Sequence, residues 1–281
     1  MTTTTDTIVN IGKSTIQHGK YNDRIYLMHC DPDDIDKTIE KLDQLSREND
    51  YSKIFAKVPR KGLEPFENAG YQVEARIPTY FEGKSPVFFM ARYRKEWRKE
   101  PNELQHINDV LDNAKKVVPP KTIPEPAAEY PVSVCTPEEA EEMAQVYGVV
   151  FKSYPFPIYD PAYIRKTIEE NVVYFAVRYE GKIVALSSAE MDEHARAAEM
   201  TDFATLPAFR GKGLATILLG LMEDEMKRRD VPTVYTIARA MSFGMNAVFA
   251  KHGYTFDGTL INNTNISGNI ESMNVWWKKL L

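Results

Sequence analysis

Five of the chain's 17 prolines fall within thirteen residues, Pro119 to Pro131 (PPKTIPEPAAEYP). Each ring fixes φ at about −65° and removes an amide donor, which excludes helix interior and central strand alike. The stretch reads as a linker, residues 119–131, between an accessory unit of residues 1–118 and a second unit of residues 132–281. A length of 281 residues likewise suits about two domains.

Both units alternate short apolar runs with helical periods, an α/β (α+β) pattern. In the first, Ile8 to Ile11, Ser14 to His18 and Arg24 to His29 read as strands. Asp31, Asp33 or Asp34 can cap a helix bearing Ile35, Ile39, Leu42 and Leu45. Lys53 to Val58 is a strand, Leu63 to Ala69 a short helix stopped by Gly70, and Tyr71 to Ile77 and Val87 to Tyr93 are further strands. Leu104 to Val118 keeps a helical period up to the prolines. In the second unit a helix capped at Ser133 or Thr136 runs to Val150, and the loop Ser153 to Pro161 (SYPFPIYDP) leads to a helix ending near Glu170. Val172 to Tyr179 and Lys182 to Asp192 form a hairpin turned at Glu180-Gly181. Strand Ala198 to Thr205, helix Leu214 to Arg229, strand Val234 to Ala238, helix Phe243 to His252, and strands Tyr254 to Leu260 and Glu271 to Trp277 complete it.

Charge narrows the function. With 35 basic and 40 acidic residues the net charge is −5, which provides no broad positive field for a nucleic acid or an anionic membrane. Cys30 and Cys135 are too few and too far apart for a disulfide framework or a zinc site, so no metal is expected. The start, MTTTTDTIVN, has no basic leader followed by an apolar core, and no apolar run approaches the ~20 residues that cross a bilayer. A cytoplasmic location is expected.

One junction carries chemistry. Arg210-Gly211-Lys212-Gly213-Leu214-Ala215 lies between the Ala198 strand and the Leu214 helix. Two glycines there let backbone approach a ligand with its amides outward, and the helix N-terminus adds a dipole favourable to phosphate. It is neither a Walker loop nor a complete Gly-x-Gly-x-x-Gly fingerprint.

The junction resembles the pyrophosphate loop of the GNAT acetyltransferase superfamily. Phe203-Ala204-Thr205 before it, Asn246 on the next helix and Phe249-x-x-x-Gly253-Tyr254 lie where that family has matching features. The resemblance implies acetyl-CoA as cosubstrate, held in a gap between splayed strands with the pantetheine arm bonding like an added strand. Phe203, Ala204 and Thr205 would flank the thioester, Arg210, Gly211, Lys212, Gly213, Leu214, Ala215 and Thr216 would hold the pyrophosphate, and Asn246 and Phe249 would complete the site.

A reacting alkyl ammonium has a pKa of about 10.4 in water, so a base is needed. Glu199, where several GNAT enzymes carry a catalytic glutamate, is the first candidate and Asp202 the second. Strict period-two alternation sets Glu199, Thr201, Phe203 and Thr205 on one face and Met200, Asp202 and Ala204 on the other, so only one carboxylate should face the thioester. Many relatives use a Tyr where this chain has Phe249; the thiolate's proton donor is then a water, Ser242, or a Tyr from elsewhere such as Tyr154.

Longer strings narrow the match. SYPFPIYDP, AEMTDFATLPAFRGKGLA, YTIARAMSFGMN, NNTNISGNIESMNVWWK and, in the first unit, FAKVP and GYQVEARIPTYFEG resemble the β-lysine N-acetyltransferase family. That implies acetyl transfer to the terminal side-chain amine of a small diamino acid, giving a zwitterionic compatible solute for osmoadaptation. For such an acceptor, Arg239 could pair with the carboxylate or be a structural ion-pair partner. Asp202 or Glu271 could hold the retained ammonium, and Tyr154 with Phe156 could wall the methylene chain. Acceptors other than β-lysine (a polyamine or a protein amine), and a non-catalytic acyl-CoA-binding module, are the alternatives. A homodimer is one candidate assembly.

The spacing Phe66-x-x-x-Gly70-Tyr71 repeats that of Phe249-x-x-x-Gly253-Tyr254, each after a strand and short helix. It suggests a first unit that is a degenerate GNAT-like half without a pyrophosphate loop; a common helix-to-strand turn is the alternative.

Overall fold

The computed structural model describes residues 6–101, 103–120, 127–266 and 268–281. Residues 121–126 of the expected linker lie outside the described residues. The first unit runs β1 (Thr7–Ile11), β2 (Ser14–Gly19), β3 (Arg24–His29), α1 (Ile35–Glu48), β4 (Lys53–Pro59), α2 (Leu63–Asn68), β5 (Gln72–Phe81) and β6 (Ser85–Tyr93), followed by α3 (Leu104–Lys115). The second runs β7 (Val132–Val134), α4 (Ala140–Val150), α5 (Pro161–Glu170), β8 (Val172–Tyr179), β9 (Lys182–Asp192), β10 (Ala197–Thr205), α6 (Leu214–Arg228), β11 (Thr233–Arg239), α7 (Phe243–Lys251), β12 (Thr255–Ile266) and β13 (Asn269–Lys279). Sequence periodicity anticipates these elements except β7. Ser133 lies on that strand rather than capping a helix, and Thr136 does the capping, its amide bonded to the Glu139 carboxylate at 2.8 Å.

The two sheets are built alike. The first has the order β1-β2-β3-β4-β6-β5 and the second β12-β13-β11-β10-β9-β8-β7. From β8 onward, after β7, α4 and α5, the second unit follows the order of the first, strand-strand-strand-helix-strand-helix-strand-strand. In each the third and fourth strands are parallel, β3 with β4 and β10 with β11, and the other neighbours are antiparallel. The repeated Phe-x-x-x-Gly-Tyr string is a Schellman corner in both. Tyr71 N donates to Phe66 O at 3.0 Å and Tyr254 N to Phe249 O at 3.1 Å. Gly70 and Gly253 take φ of 84° and 74°, which a side chain resists, and each Phe meets its Tyr edge-on at 4.8 and 5.1 Å. Such a corner is common by itself; the shared strand order and senses show that the first unit repeats the topology of the second from β8 onward.

Period-two alternation sorts the first sheet into two faces. Ile54, Ala56 and Val58 of β4 join Leu42 of α1 and Phe66 of α2 in one core. Phe55, Val87 and Phe89 point the other way and pack on Ala197, Tyr235, Leu260, Met273 and Val275 of the second unit. Burying each such Phe contributes roughly 1.5–3 kcal/mol, so the interface is part of the core rather than a loose contact. Lys53 and Lys57, on the same face as Phe55, are thereby turned toward the second unit. Lys53 is fully buried, 2.9 Å from Glu74, and donates to the Ile261 carbonyl at 2.7 Å; burial lowers its pKa to about 8. Expected as part of the first unit, α3 packs instead on α7, and its Ala114 belongs to the second unit's core.

Candidate active site

Strands β10 and β11 pair only from Ala197 to Glu199 against Thr233 to Tyr235. Beyond that point β10 continues along β9 and β11 along β13, so the two diverge and a groove opens. A cavity of about 690 Å³ follows this opening, from Thr201, Asp202, Phe203 and Thr205 past Ile237 to Arg210, Gly211 and the first turn of α6. Gly211 and Gly213 have φ of 79° and 76°, and nothing stands within 4 Å of where a Cβ would be. Among the described residues, the amides of Gly211 to Ala215 donate to no backbone carbonyl. Open amides at the start of a fifteen-residue helix suit the pyrophosphate that the loop motif implied.

Leu214, Ala215, Thr216 and Phe249 also line this groove. Lys212 does not; its Nζ lies 5.8 Å from the centre of the Tyr130 ring. Ala204 is buried against Leu206 and the α4–α5 side, so only its backbone can face the groove. Asn246 departs furthest from its expected contact. Its Nδ2 bonds the carbonyls of Arg239 at 3.0 Å and Ser242 at 2.8 Å, and its Oδ1 accepts from Asn274 and Trp276, both at 2.9 Å. With every polar atom engaged, it fixes the end of β11 to β13 and does not line the groove.

The expected alternation along β10 fails at Asp202. Between Thr201 and Ala204 two residues, Asp202 and Phe203, oppose the single Ser187 of β9, a bulge, and Asp202 takes φ 56°. Ala198 and Met200 face α6, whereas Ala204, two more steps along the same parity, faces α4 and α5. The extra residue exchanges the faces and leaves Asp202 on the side of Glu199 and Thr201. The Asp202 carboxylate accepts from Ser188 Oγ at 2.6 Å and from the Tyr154 hydroxyl. Burial pushes its pKa up, and hydrogen bonds from Ser188, Tyr154 and Thr201 oppose the rise.

A second cavity of about 690 Å³ lies between the two units. Arg24, Tyr26, His29, Phe55 and Lys57 form its first-unit wall, facing Phe156, Glu190, Asp192, Glu199 and Tyr235. The two cavities share Tyr154, Thr201, Ile237, Ile266 and Met273. An acyl group entering by one and an amine entering by the other would meet there.

Glu199 stands directly opposite Glu190 in the β9–β10 register. Burial raises the pKa of Glu199 to about 7; Asp202 adds to the rise, and the Lys57 ammonium, the Tyr235 hydroxyl and the Ile237 amide oppose it. Glu190 is driven well above the carboxylate range by burial, then by Glu199 and Asp202, with Lys57 again opposing. Two carboxylates this close do not both ionise freely near neutrality. Lys57 donates to the Tyr80 hydroxyl at 2.9 Å and lies 3.8 Å from Asp192.

Phe156 and Tyr154, the residues expected to wall the acceptor's methylene chain, line the second cavity. Arg239 and Glu271 do not. Arg239 donates through Nε and Nη2 to Glu271 at 2.9 and 2.6 Å, so each occupies the other; Arg239 lines the first groove and Glu271 neither cavity. Sequence reading passed over Lys57, Glu190, Arg24, Asp192 and Tyr235. The available signal for Lys57 was a pair of lysines, Lys53 and Lys57, at even spacing in an otherwise apolar strand, KIFAKVP. Of the candidate proton donors, Ser242 lines the groove and Tyr154 the junction. Burial, with Asp202 beside it, keeps the Tyr154 phenol protonated.

Among the described residues no group of three His, Cys, Asp or Glu side chains could hold a metal ion, and no helix is long and apolar enough to cross a membrane. The acetyltransferase (GNAT) family matches residues 140–254. The β-lysine N(6)-acetyltransferase of Methanococcus maripaludis is 42% identical over 96% of this chain and 98% of its own length. The enzyme of the same name from Methanosarcina mazei is 35% identical over 79% of this chain and 89% of its own. The N-acetyltransferase YodP of Bacillus subtilis is 30% identical over 95% and 96% respectively. These relatives match along both units, first half included, and the chain belongs to the GNAT family of N-acetyltransferases.

Proposed function

We propose that the protein acetylates the terminal side-chain amine of β-lysine (3,6-diaminohexanoate) with acetyl-CoA, by direct attack of the neutral amine, yielding a compatible solute. The observation that carries this reading is the junction of two cavities: a groove ending in a phosphate cradle, and a chamber rich in carboxylates that suits a cationic amine. The names of the relatives point to the same acceptor.

Bound in the groove, acetyl-CoA supplies the activated acetyl thioester. The amides of Gly211 to Ala215 hold its pyrophosphate, and a backbone amide in the 203–205 stretch polarises the carbonyl. Glu199 takes the ammonium's proton, directly or through a water; with a pKa of about 7 it is a better matched base than an ordinary carboxylate. Asp202 accepts a hydrogen bond from the Tyr154 hydroxyl and fixes that ring at the junction, and the departing thiolate, the conjugate base of an acid of pKa about 8.5, takes its proton from a water. The product is the N6-acetyl derivative, whose remaining carboxylate and ammonium cancel. A cytoplasmic enzyme acting on a free small molecule fits this role.

The test is to incubate acetyl-CoA with β-lysine, lysine, ornithine and polyamines and to follow free CoA with mass-shifted product. β-Lysine should give the highest kcat/KM. Preference for a polyamine overturns the acceptor, and acetyl-CoA binding without CoA release across the panel favours an acyl-CoA-binding module.

A further inference from the structure

Arg24 is 4% exposed and lies at the first-unit end of the second cavity. Its Nη1 donates to the Asn263 carbonyl and to Thr264 Oγ1, the latter at 3.2 Å. Its Nε has no hydrogen-bond partner, and among the described residues Nη2 bonds nothing and no carboxylate lies within ion-pair distance of the guanidinium. The unpartnered side is thus the Nε–Nη2 edge, the one that grips a carboxylate with two parallel bonds. Arg239 shows that grip in the same protein, its Nε and Nη2 on the two oxygens of Glu271. A buried guanidinium edge without an acceptor is costly, and this one borders a cavity.

Charge is arranged by position. Arg24 belongs to β3 and sits beside the Tyr26 and Phe55 rings, at 5.3 and 5.7 Å. Glu190 and Glu199 stand on β9 and β10 of the other unit. A molecule with a carboxylate at one end and an amine at the other would match that polarity, whereas a plain diamine would leave the guanidinium bare.

We infer that Arg24 binds the acceptor's carboxylate through its Nε–Nη2 edge, so that the first unit, although it lacks a phosphate loop, selects amino acids over simple amines. The inference rests on the acetyltransferase reading but not on β-lysine as the particular acceptor. It replaces Arg239 in that role, since that edge is already held by Glu271.

The experiment compares each amino acid with its decarboxylated partner: β-lysine with pentane-1,4-diamine, lysine with cadaverine, ornithine with putrescine. Wild type, Arg24→Gln and Arg24→Lys are measured in the full chain with acetyl-CoA, the diamine of each pair serving as the folding control. For the amino acid that wild type turns over best, kcat/KM should fall roughly 100-fold in Arg24→Gln, mostly through KM, and about tenfold or more in Arg24→Lys, which keeps charge but not the fork. The partner diamine should change less than about threefold. Equal losses for acid and diamine, or a wild type that prefers diamines, overturn the inference. Should lysine or ornithine be the acid affected, β-lysine falls as acceptor while Arg24 keeps its role; no turnover of any member removes both readings.

Discussion

The two halves of this chain share a strand order and differ where a nucleotide would have to sit. In the second, β10 and β11 part after three paired residues, and the connection to α6 is Leu206 to Gly213 (LPAFRGKG), with two glycines in left-handed conformation and two cations. In the first, β3 and β4 pair over four residues, Arg24 to Leu27, β3 runs only to His29, and the connection to α1 is Cys30 to Asp34 (CDPDD), without glycine and with three aspartates. With two residues of β3 beyond the paired stretch, against six of β10, the first half offers little free edge for a pantetheine arm, and carboxylates at a helix start repel phosphate. The same scaffold therefore carries the glycine loop and splayed strands in one half and forms a wall of the second cavity in the other.

The sharpest break in the comparison should come at Glu199, which has no carboxylate counterpart on β3. Glu199→Gln should lower kcat by about 10²–10⁴-fold, the usual worth of a positioned base, and leave KM for acetyl-CoA nearly unchanged. The sign with pH follows from its raised pKa. The base works ionised, so wild-type kcat falls as pH drops through about 7, and the Gln variant should lose that dependence except for what the amine's own protonation contributes. A steady-state pH profile of both proteins checks this; an unchanged acid limb in Glu199→Gln would assign it to another group.

Second in size is the loop. Gly213 holds φ 76° at the entry to α6, a conformation a β-branched residue resists by roughly 1–3 kcal/mol. Gly213→Val should raise KM for acetyl-CoA about 10- to 100-fold with little change in KM for the amine. Asp33→Ala and Asp34→Ala, at the matching place in the first half, should leave both constants within about twofold. Comparable losses in the two halves would mean that the first half also contacts the cosubstrate.

What could be read from the sequence divides along the same line. The loop was legible because its requirements are local: glycines for positive φ, a strand before and a helix after. Strands and helices were legible from period and punctuation for the same reason. The acceptor chamber was not, because it is made by two sheets meeting face to face. Nothing near Lys57 or Arg24 in sequence says that β4 and β3 turn those side chains toward Glu190 and Glu199. Asn246 matched a family position, yet its amide is satisfied inside the fold, which no motif reveals. Asp202 was assigned to the wrong face because one inserted residue in a ladder changes no composition and reverses every later side chain.

The union of the halves can itself be tested. Gly258 on β12 lies so close to β5 that a Cβ would stand 2.0 Å from the Glu74 carbonyl oxygen and 3.0 Å from Ala75. Backbone on both sides leaves little to yield, so Gly258→Ala should destabilise by about 1–3 kcal/mol. A single, lowered thermal transition is expected, because Phe55, Phe89, Tyr235 and Val275 make the interface a common core. Two separated transitions would show that the halves unfold independently.

The smallest expected effect concerns the paired corners. Tyr71 and Tyr254 occupy equivalent places, and among the described residues the Tyr71 hydroxyl has no hydrogen-bond partner. A buried hydroxyl without a partner is destabilising, so Tyr71→Phe should be neutral or stabilising by up to about 1 kcal/mol. Tyr254 has a different neighbour. Burial raises its pKa well above 10, and Glu223 raises it further. Glu223 bonds Lys278 at 2.7 Å and His252 at 3.3 Å, and His252 in turn lies 3.0 Å from the Thr216 carbonyl in the first turn of α6. Tyr254→Phe should therefore alter a chain of contacts that reaches the phosphate cradle, changing KM for acetyl-CoA by about two- to threefold, while Tyr71→Phe leaves KM unchanged. Thermal unfolding and acetyl-CoA titration of the two variants together measure whether one backbone corner has acquired a second task in the half that binds the cosubstrate.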